Sequence, residues 1–237
     1  MTRLLLTRPE EDSLGLRDAL AAMNIDSVIA PLLQIENIPG PDIATDVLQG
    51  FLVTSANGVR ALAARTKNRD LPVYAVGDAT ARAARDIGFG SVTSAAGDVD
   101  DLAILVAHAC DAGDGAFYHA AGTVSAGDLS GRLTAAGFEV IREKIYEATT
   151  VDHLPDLARM ALAEGAINGV VIFSPRTAQT FVDRAVAAGL IAVIAEMKLF
   201  ALSQNVSDAA GNAWGEMIVA DVPTQESLLN AIRTCYY

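Results

Sequence analysis

"GFLVTSANGVRAL", residues 50–62, joins a short apolar run to an amphipathic stretch through two hydroxyl side chains. The apolar run is typical of a strand buried on both faces, and the stretch after it has helical spacing. Thr54, Ser55 and Asn57 therefore fall where a strand ends and a helix begins. Side chains of these types cap helices, and a helix N-terminus also attracts anions. Both interpretations remain open from this stretch alone.

The same alternation of apolar runs and alanine-rich helical stretches continues along the chain. Because apolar strands separated by helices are typical of parallel sheets covered on both faces, the sequence predicts a doubly wound α/β fold. The predicted strands are 3–7, 27–32, 50–54, 72–77, 91–95, 115–120, 138–148, 169–174, 198–203 and 216–221. The predicted helices are 10–23, 57–66, 79–87, 99–111, 127–136, 154–164, 176–188, 207–213 and 225–234.

An internal repeat indicates that the chain consists of two similar lobes. Residues 74–89, YAVGDATARAARDIGF, align with residues 200–215, FALSQNVSDAAGNAWG, at a constant separation of 126 residues. Upstream, GFLVTSANGV aligns with GVVIFSPRTA, in which Ser55 and Ser174 are 119 residues apart. The alternative is that these segments match only because all α/β units share one pattern.

Each predicted lobe has polar residues where ligands bind in doubly wound folds, at the carboxyl ends of the strands. A hydroxyl follows a predicted strand in both lobes, as Thr54-Ser55 in one and Ser174-Pro175 in the other. Further polar turns follow at 77–80 and 203–205. The sequence thus predicts four helix N-termini directed at a ligand.

Two long segments are predicted to carry the chain between the lobes. FEVIREKIYEATTV, residues 138–151, is long for one small sheet, and PLLQIENIPG, residues 31–40, is the matching candidate. Two crossings imply that one lobe is inserted in the other. We predict lobe A over 1–34 and 150–237, lobe B over 39–142, and linker strands over 35–38 and 143–149.

Charge and composition exclude several classes of protein. The net charge of −12, with no basic stripe to offset it, argues against nucleic acid as a partner. No run of about 18 apolar residues occurs, so no membrane span is expected, and MTRLLLTRPEED is expected to be a strand and not a signal peptide. Cys110 and Cys235 are expected to be buried thiols in a reducing, cytoplasmic compartment. The scattered histidines His108, His119 and His153 predict no metal site.

The common catalytic motifs do not occur in this sequence, which has no dinucleotide fingerprint, P-loop or nucleophile elbow. Asp98, Asp100 and Asp101 open a predicted helix, where they complement its dipole. What remains is a set of hydroxyls, amides and helix N-termini, with a tyrosine on a crossing strand. Such a set is suited to holding carboxylates and donating hydrogen bonds.

Five segments in order resemble the uroporphyrinogen-III synthase family. They are LLLTRP (4–9), FLVTSANGV (51–59), VYAVGDATARAARDIGF (73–89), AAGTVSAGDLSGRLTAAGFEVIREKIYEA (120–148) and VVIFSPRTAQTF (170–181). The resemblance implies two α/β lobes joined by a two-stranded linker, a cleft between them, no metal and no cofactor. The implied substrate is hydroxymethylbilane, a linear tetrapyrrole with eight carboxylates. It loses its hydroxyl as water, inverts its last pyrrole ring and closes to the macrocycle.

The resemblance also implies roles for individual residues. Tyr146 falls on the family's tyrosine, and its phenol, protonated at neutral pH, would be the general acid for the departing hydroxyl. The alternative is an ordinary strand tyrosine. The implied substrate-binding residues are Arg8, Thr54, Ser55, Asn57, Gly77, Thr80, Gly122, Ser174, Pro175, Arg176, Ser203 and Asn205. Helix capping for the hydroxyls and a surface salt bridge for Arg8 are the alternatives. The resemblance further implies a monomer, with transient contact to the preceding enzyme.

This chain departs from the family pattern in three places. Ser203-Gln204-Asn205-Val206-Ser207 stands where many members have Gly-Pro-Thr-Thr-Ala, and Ala126 and Ala148 replace a frequent arginine and a threonine. These departures concern single contacts and leave the predicted fold unchanged. A second hypothesis is a two-lobed binding or sensor protein that holds an anionic metabolite without transforming it.

Overall fold

The computed structural model describes residues 2–124 and 127–237, so Ala126 lies outside the described residues. The strands are β1 (Arg3–Leu6), β2 (Asp26–Ile29), β3 (Leu33–Asn37), β4 (Leu48–Val53), β5 (Val73–Ala75), β6 (Val92–Ser94), β7 (Ala116–Gly122), β8 (Val140–Thr150), β9 (Gly169–Ile172), β10 (Lys198–Ala201) and β11 (Glu216–Val219). The helices are α1 (Glu10–Ala21), α2 (Ala56–Arg65), α3 (Asp78–Asp86), α4 (Val99–Ala109), α5 (Leu129–Ala135), α6 (Asp156–Ala163), α7 (Pro175–Ala187), α8 (Ile191–Ile194), α9 (Gln204–Ala210) and α10 (Gln225–Tyr236).

The chain divides into two compact units. Unit 1 comprises Met1–Gln34 and Thr149–Tyr237, and unit 2 comprises Ile35–Ala148. The chain passes from unit 1 to unit 2 within β3 and returns within β8. Unit 2 is therefore inserted in unit 1, and only two strands connect them.

The sheet of unit 1 has the order β11-β10-β9-β1-β2, and its strands pair in parallel. Neighbouring residues of β1 enter opposite cores, since Leu5 belongs to one apolar cluster and Leu4 and Leu6 to another. A parallel sheet covered on both faces requires this pattern. The chain reverses direction across the sheet between β1 and β9, and this switch point is the ligand position in such folds.

The sheet of unit 2 has the order β3-β8-β7-β4-β5-β6, with parallel pairing from β8 to β6. Phe51 and Val53 of β4 pack into one core, and Leu52 between them packs into the other. The switch point of this unit lies between β4 and β7, because the chain builds β5 and β6 on one side of β4 and then returns to the other side.

The two units share one architecture, which confirms the predicted fold class. Unit 1 reads β11-β10-β9-β1-β2 where unit 2 reads β6-β5-β4-β7-β8. Helices α3 and α9 begin at Asp78 and Gln204, 126 residues apart as the repeat predicts. Helices α2 and α7 begin at Ala56 and Pro175, which reproduces the separation of 119 residues.

The acidic residues at the start of α4 have the structural role that the sequence indicates. The Asp98 carboxylate accepts from the amides of Asp100 and Asp101, and the Asp101 carboxylate accepts from the Asp98 amide at 2.9 Å. This capping box satisfies amides that have no partner inside the helix. These carboxylates therefore begin a helix.

Three expectations need correction. Helix α9 begins at Gln204 and not at 207, because the Ser203 carbonyl already accepts from the amides of Val206 and Ser207 at 3.1 Å. Helix α8 was not predicted, since its four residues are too few to show helical periodicity. Cys110 and Cys235 are free thiols, but both are half-buried.

Within the described ranges, no helix is long and apolar enough to cross a membrane.

One buried histidine makes the stability of unit 2 depend on pH. The His119 side chain lies in β7, with Nδ1 3.3 Å from Ser130 Oγ and with Nε2 buried and unpaired among the described atoms. Burial, together with the charge of Arg142, lowers the pKa of His119 to about 4. A charged imidazole is therefore much less stable in the folded protein than in the unfolded chain.

We expect the free energy of unfolding to fall by about 2 kcal/mol between pH 7.5 and pH 5. The unfolded chain binds the His119 proton from about pH 6.5 downwards, whereas the folded protein binds it only near pH 4. The stability is thus present above pH 6.5 and is lost as the pH falls through this window. Urea unfolding should show this loss in the wild type and in His108→Gln, whose imidazole is exposed, but not in His119→Leu. A wild-type stability that is flat over this range would contradict the assignment.

Candidate active site

Ser55 caps helix α2 at the switch point of unit 2. Its backbone is extended (φ −159°, ψ 158°), and its Oγ accepts a hydrogen bond from the Gly58 amide at 3.0 Å. Serine is preferred at such a position because its hydroxyl satisfies a free amide of the first turn. The helix-cap interpretation of this residue is therefore confirmed.

The same hydroxyl also contacts Tyr146. Ser55 Oγ lies 2.7 Å from the Tyr146 hydroxyl, and either oxygen can donate this hydrogen bond. The tyrosine ring is only 7% exposed and belongs to the core between α2 and the sheet. The fold thus places the phenol beside the N-terminus of α2, although the two residues are 91 positions apart in the sequence.

A β-bulge and a glycine create the space for the tyrosine ring. The register of β7 and β8 shifts so that Ala121 faces Lys144 but Gly122 faces Tyr146. A Cβ at Gly122 would lie 2.7 Å from Tyr146 Cζ, so only glycine fits beneath the ring. Gly58 instead permits α2 to pack closely on β7, because its Cβ would lie 2.9 Å from the Ala120 carbonyl, whereas the 3.5 Å to the Tyr146 ring is an ordinary contact. Bulges commonly reorient side chains near active sites in this way.

An ion pair ties the other end of α2 to β8. Arg65 Nη2 lies 2.9 Å from Glu143 Oε1, and Tyr118 donates to Glu143 Oε2 at 2.7 Å. The hydrogen bond from Tyr118, with help from Arg65, lowers the pKa of Glu143, while burial raises the pKa of Tyr118. Helix α2 is therefore held to β8 near both of its ends, which fixes Ser55 against Tyr146.

The other predicted residues of unit 2 lie at the same edge of the sheet. Thr54 follows β4 and is half-buried, and the Asn57 amide oxygen accepts from Arg60 Nη2 at 2.6 Å within α2. Gly77 caps α3 with extended backbone, and a Cβ there would lie 3.8 Å from the Gly97 carbonyl. Thr80 is buried within the first helical turn of α3. It therefore belongs to the helix and not, as the sequence suggests for 77–80, to a polar turn that precedes it.

Unit 1 presents a second group of predicted residues at its own switch point. Ser174 caps α7, where its Oγ accepts from the Thr177 amide at 3.2 Å and lies 2.8 Å from Thr177 Oγ1. Pro175 occupies the first helical position, where no amide hydrogen is needed, and Arg176 is exposed beside it.

Arg8 lies next to this cap, because it follows β1 as Ser174 follows β9. Its guanidinium lies 4.6 Å above the Phe173 ring and 3.4 Å from Asp12 Oδ2. The salt-bridge interpretation is thus confirmed, yet the side chain stays 24% exposed. A guanidinium in this position can still bind a carboxylate of a ligand.

Ser203 and Asn205 lie at the N-terminus of α9, another helix of unit 1. Ser203 caps α9 through its backbone carbonyl without a side-chain cap bond, and Asn205 is exposed inside the first turn. Asn205 therefore lies on a helix and not in the turn that the sequence suggests.

Acidic residues are distributed unevenly among the helix N-termini. Helix α1 carries Glu10, Glu11 and Asp12 in its first turn, and α4 carries Asp100 and Asp101. The first turns of α2 and α7, both fully described, carry no acidic residue, and both helices begin at a switch point. The first turn of α9 carries none either, whereas that of α3 carries Asp78. The positive ends of α2 and α7 are thus not offset by acidic side chains of their own first turns. This charge pattern favours an anionic ligand.

Two further observations concern other kinds of site. A cavity of about 310 Å³ in unit 1 is lined by Asp152, His153, Leu154, Asp156, Arg159, Arg184, Ala187 and Ala188, none of which belongs to the predicted site. Across the described part of the chain, no group of three or more histidine, cysteine or acidic side chains could hold a metal ion.

Comparison with known proteins agrees with the resemblance of the sequence. A family model described as uroporphyrinogen-III synthase HemD matches residues 15–230. The uroporphyrinogen-III synthetase of Helicobacter pylori 26695 is 13% identical, with a TM-score of 0.61 over 99% of this chain and 100% of that chain. A mutant uroporphyrinogen III synthase of Thermus thermophilus is 16% identical, with a TM-score of 0.52 over 99% of this chain and 97% of that chain. No curated protein matches this sequence.

The solved structures are similar in fold over the whole chain, although few residues are identical. The family model supplies the stronger evidence, because it spans α2, α3, α7 and the strands between them. On this match, the chain belongs to the uroporphyrinogen-III synthase family.

Proposed function

We propose that this protein performs the reaction of its family with Tyr146 as the general acid. The reaction cyclises hydroxymethylbilane to uroporphyrinogen III, with inversion of ring D and loss of water. The observation that carries the assignment is the Tyr146 hydroxyl, which lies 2.7 Å from Ser55 Oγ at the switch point of unit 2. A phenol there can donate a proton to a leaving group bound at the carboxyl edge of the sheet.

The proposed reaction begins with departure of the hydroxyl. Tyr146 transfers its proton to the hydroxyl oxygen, the carbon–oxygen bond breaks, and water leaves a cationic, azafulvene-like bilane. Ring D attacks the cationic carbon through the α-carbon that already carries its bridge to ring C, which gives a spirocyclic intermediate. The bond from that α-carbon to the bridge then breaks and leaves the cation on the bridge carbon of ring C. The free α-carbon of ring D bonds to this cationic carbon, so that ring D is inverted in the closed macrocycle. The proton that the ring loses on rearomatisation returns to the phenolate, so the enzyme is regenerated. No step in this scheme uses a metal or a cofactor.

The substrate carboxylates are assigned to both units. In unit 2 the candidates are Thr54, Asn57, Gly77 and Thr80, beside the N-termini of α2 and α3. In unit 1 they are Arg8, Ser174, Pro175, Arg176, Ser203 and Asn205. Helix amides and an arginine are suited to carboxylates, and several such contacts together position the bilane for cyclisation.

The similarity of the units supports placing the chemistry in unit 2. Strand β2 of unit 1 occupies the place that β8 has in unit 2. It is followed by Ala30 and Pro31, whose side chains cannot donate a proton. Unit 1 is therefore assigned to binding. The family match favours the enzyme over a purely binding or sensing protein, the second hypothesis.

The setting of the enzyme is also part of the proposal. We infer that it acts as a monomer in the cytoplasm, with transient contact to the enzyme that supplies its unstable substrate. The two free thiols, Cys110 and Cys235, support a reducing compartment. Residues 35–38 and 143–149, predicted as linker strands, are proposed as the hinges of the catalytic cycle.

We expect Gly77→Ala to raise KM about threefold or more and to lower stability by no more than about 1 kcal/mol, since alanine is a poorer N-cap than glycine. The protein itself has room for the methyl group, whose nearest neighbour would be the Gly97 carbonyl at 3.8 Å. A substrate carboxylate that approaches the α3 amides closely would instead meet this methyl group. Gly90→Ala is the matched control, because its Cβ would lie 3.8 Å from the Arg69 carbonyl, away from the site. Equal KM values for the two variants would remove Gly77 from the binding site.

Product analysis tests the proposed reaction. Hydroxymethylbilane, generated enzymatically, is incubated with and without the protein, and the products are oxidised and separated by isomer. We expect uroporphyrin III in excess over the type I isomer that forms spontaneously. Type I alone, at the uncatalysed rate and from folded protein, would overturn the proposed function and leave the binding hypothesis.

A further inference from the structure

The Ser55 hydroxyl makes two hydrogen bonds with different requirements. As the cap of α2 it accepts from the Gly58 amide at 3.0 Å, which occupies one lone pair of the oxygen. Its second contact is the Tyr146 hydroxyl at 2.7 Å. A serine hydroxyl has one hydrogen to donate and two lone pairs. The Gly58 contact therefore leaves the hydrogen free for the tyrosine.

The direction of the second bond decides what Tyr146 can do. If tyrosine donated to serine, its proton would point at the helix cap and not at a substrate. If serine donates to tyrosine, the phenolic proton is free for the departing hydroxyl. The hydrogen bond then strengthens as negative charge develops on the phenolic oxygen. The Gly58 amide, at the positive end of α2, polarises the serine in the same direction.

We propose that Ser55 is a positioning residue that acts through Tyr146 and does not bind the substrate. It donates its hydroxyl hydrogen to the Tyr146 oxygen, so that a chain runs from the Gly58 amide through both hydroxyls to the leaving group. When Tyr146 gives up its proton, the bilane loses water and the phenolate keeps the hydrogen bond from Ser55. This inference rests on the proposed function and deepens it.

Comparison with the other unit separates this role from capping. Ser174 caps α7 through the same contact to the amide three residues on, but its second partner is Thr177 Oγ1, within its own helix. Ser55 instead reaches a residue of β8, on a different element. A cap alone needs only the amide, so the contact to Tyr146 is an additional feature of unit 2.

A double-mutant cycle on turnover tests the inference. We expect Ser55→Ala to lower kcat about fivefold with KM changed less than twofold, and to have no further effect in a Tyr146→Phe background. Ser55→Thr keeps a hydroxyl and is expected to retain most of the turnover. Ser55→Asp keeps the cap, because a carboxylate accepts from Gly58, but it has no hydrogen to donate and is expected to be as slow as the alanine variant.

The control variant removes a matched cap elsewhere. Thr224 caps α10 by accepting from the Ser227 amide at 3.2 Å, and we expect Thr224→Ala to leave kcat unchanged. The inference is overturned if Ser55→Asp retains full turnover, or if Ser55→Ala lowers kcat equally in both backgrounds. Wild-type protein that forms no type III isomer would instead overturn the proposed function, so the two failures are distinguishable.

Discussion

Tyr146→Phe is expected to lower kcat about tenfold or more, which corresponds to roughly 1.4 kcal/mol of transition-state stabilisation. The ring still fills the space above Gly122, but the proton for the departing hydroxyl and the contact to Ser55 are lost. KM should change little, because the substrate carboxylates are assigned to other residues. Steady-state formation of the type III isomer measures both constants.

A second tyrosine of the same sheet is the control for this substitution. Tyr74 lies on β5, packs edge-on against Phe117, and accepts a hydrogen bond from the Cys110 thiol. Tyr74→Phe removes a hydroxyl from unit 2 without touching the site, and we expect full turnover. If Tyr146→Phe also retained full turnover, Tyr146 would have no part in the mechanism, whereas the family assignment would stand.

Gly122→Ala is expected to reduce turnover at least as much as the loss of the phenol. The new Cβ would lie 2.7 Å from Tyr146 Cζ and 2.9 Å from its hydroxyl oxygen, so the ring has to leave its position. Forcing a methyl group into a packed site costs about 1–3 kcal/mol, which should appear as lower stability in urea. Turnover and stability should therefore fall together in this variant.

Gly15→Ala is the control glycine substitution. Gly15 lies within α1, and no atom of the described residues would lie within 4 Å of the new methyl group. We expect it to raise stability by up to about 1 kcal/mol, since alanine is the better helix former, and to leave kcat unchanged. If Gly122→Ala, in contrast to this control, also had normal turnover, the position of the Tyr146 ring would not matter for catalysis.

The periodic features of the fold could be predicted from the sequence. Apolar strands and alanine-rich helices alternate in the pattern of an α/β fold with parallel sheets, and the repeat located the starts of α3 and α9 relative to each other. Short elements were harder, because four residues of α8 show no period. The start of α9 was misplaced because Ser203, Gln204 and Asn205 have the composition of a turn but form a cap and a first helical turn.

The candidate site could be predicted in its residues but not in its contacts. Ser55 and Ser174 were recognisable as hydroxyls between a strand and a helix, and both are helix caps. The bond between Ser55 and Tyr146 depends on the shift of register at Gly122, which no local pattern reveals. Gly58 was missed, because its close approach to the Ala120 carbonyl arises only when α2 packs on β7. The signal that the sequence offered for Gly58 was its place, as a glycine, in the first turn of a predicted helix.

A change of leaving group tests most directly whether Tyr146 protonates the departing hydroxyl. A bilane that carries an ammonium group in place of the hydroxyl needs no proton from the enzyme. Its leaving group is already protonated before the bond breaks and departs as neutral ammonia. The measurement is the ratio of wild-type to Tyr146→Phe kcat on each of the two substrates. We predict a ratio of about ten or more with hydroxymethylbilane and below about two with the ammonium analogue. The same large ratio on both substrates would contradict the assignment of Tyr146 as the general acid.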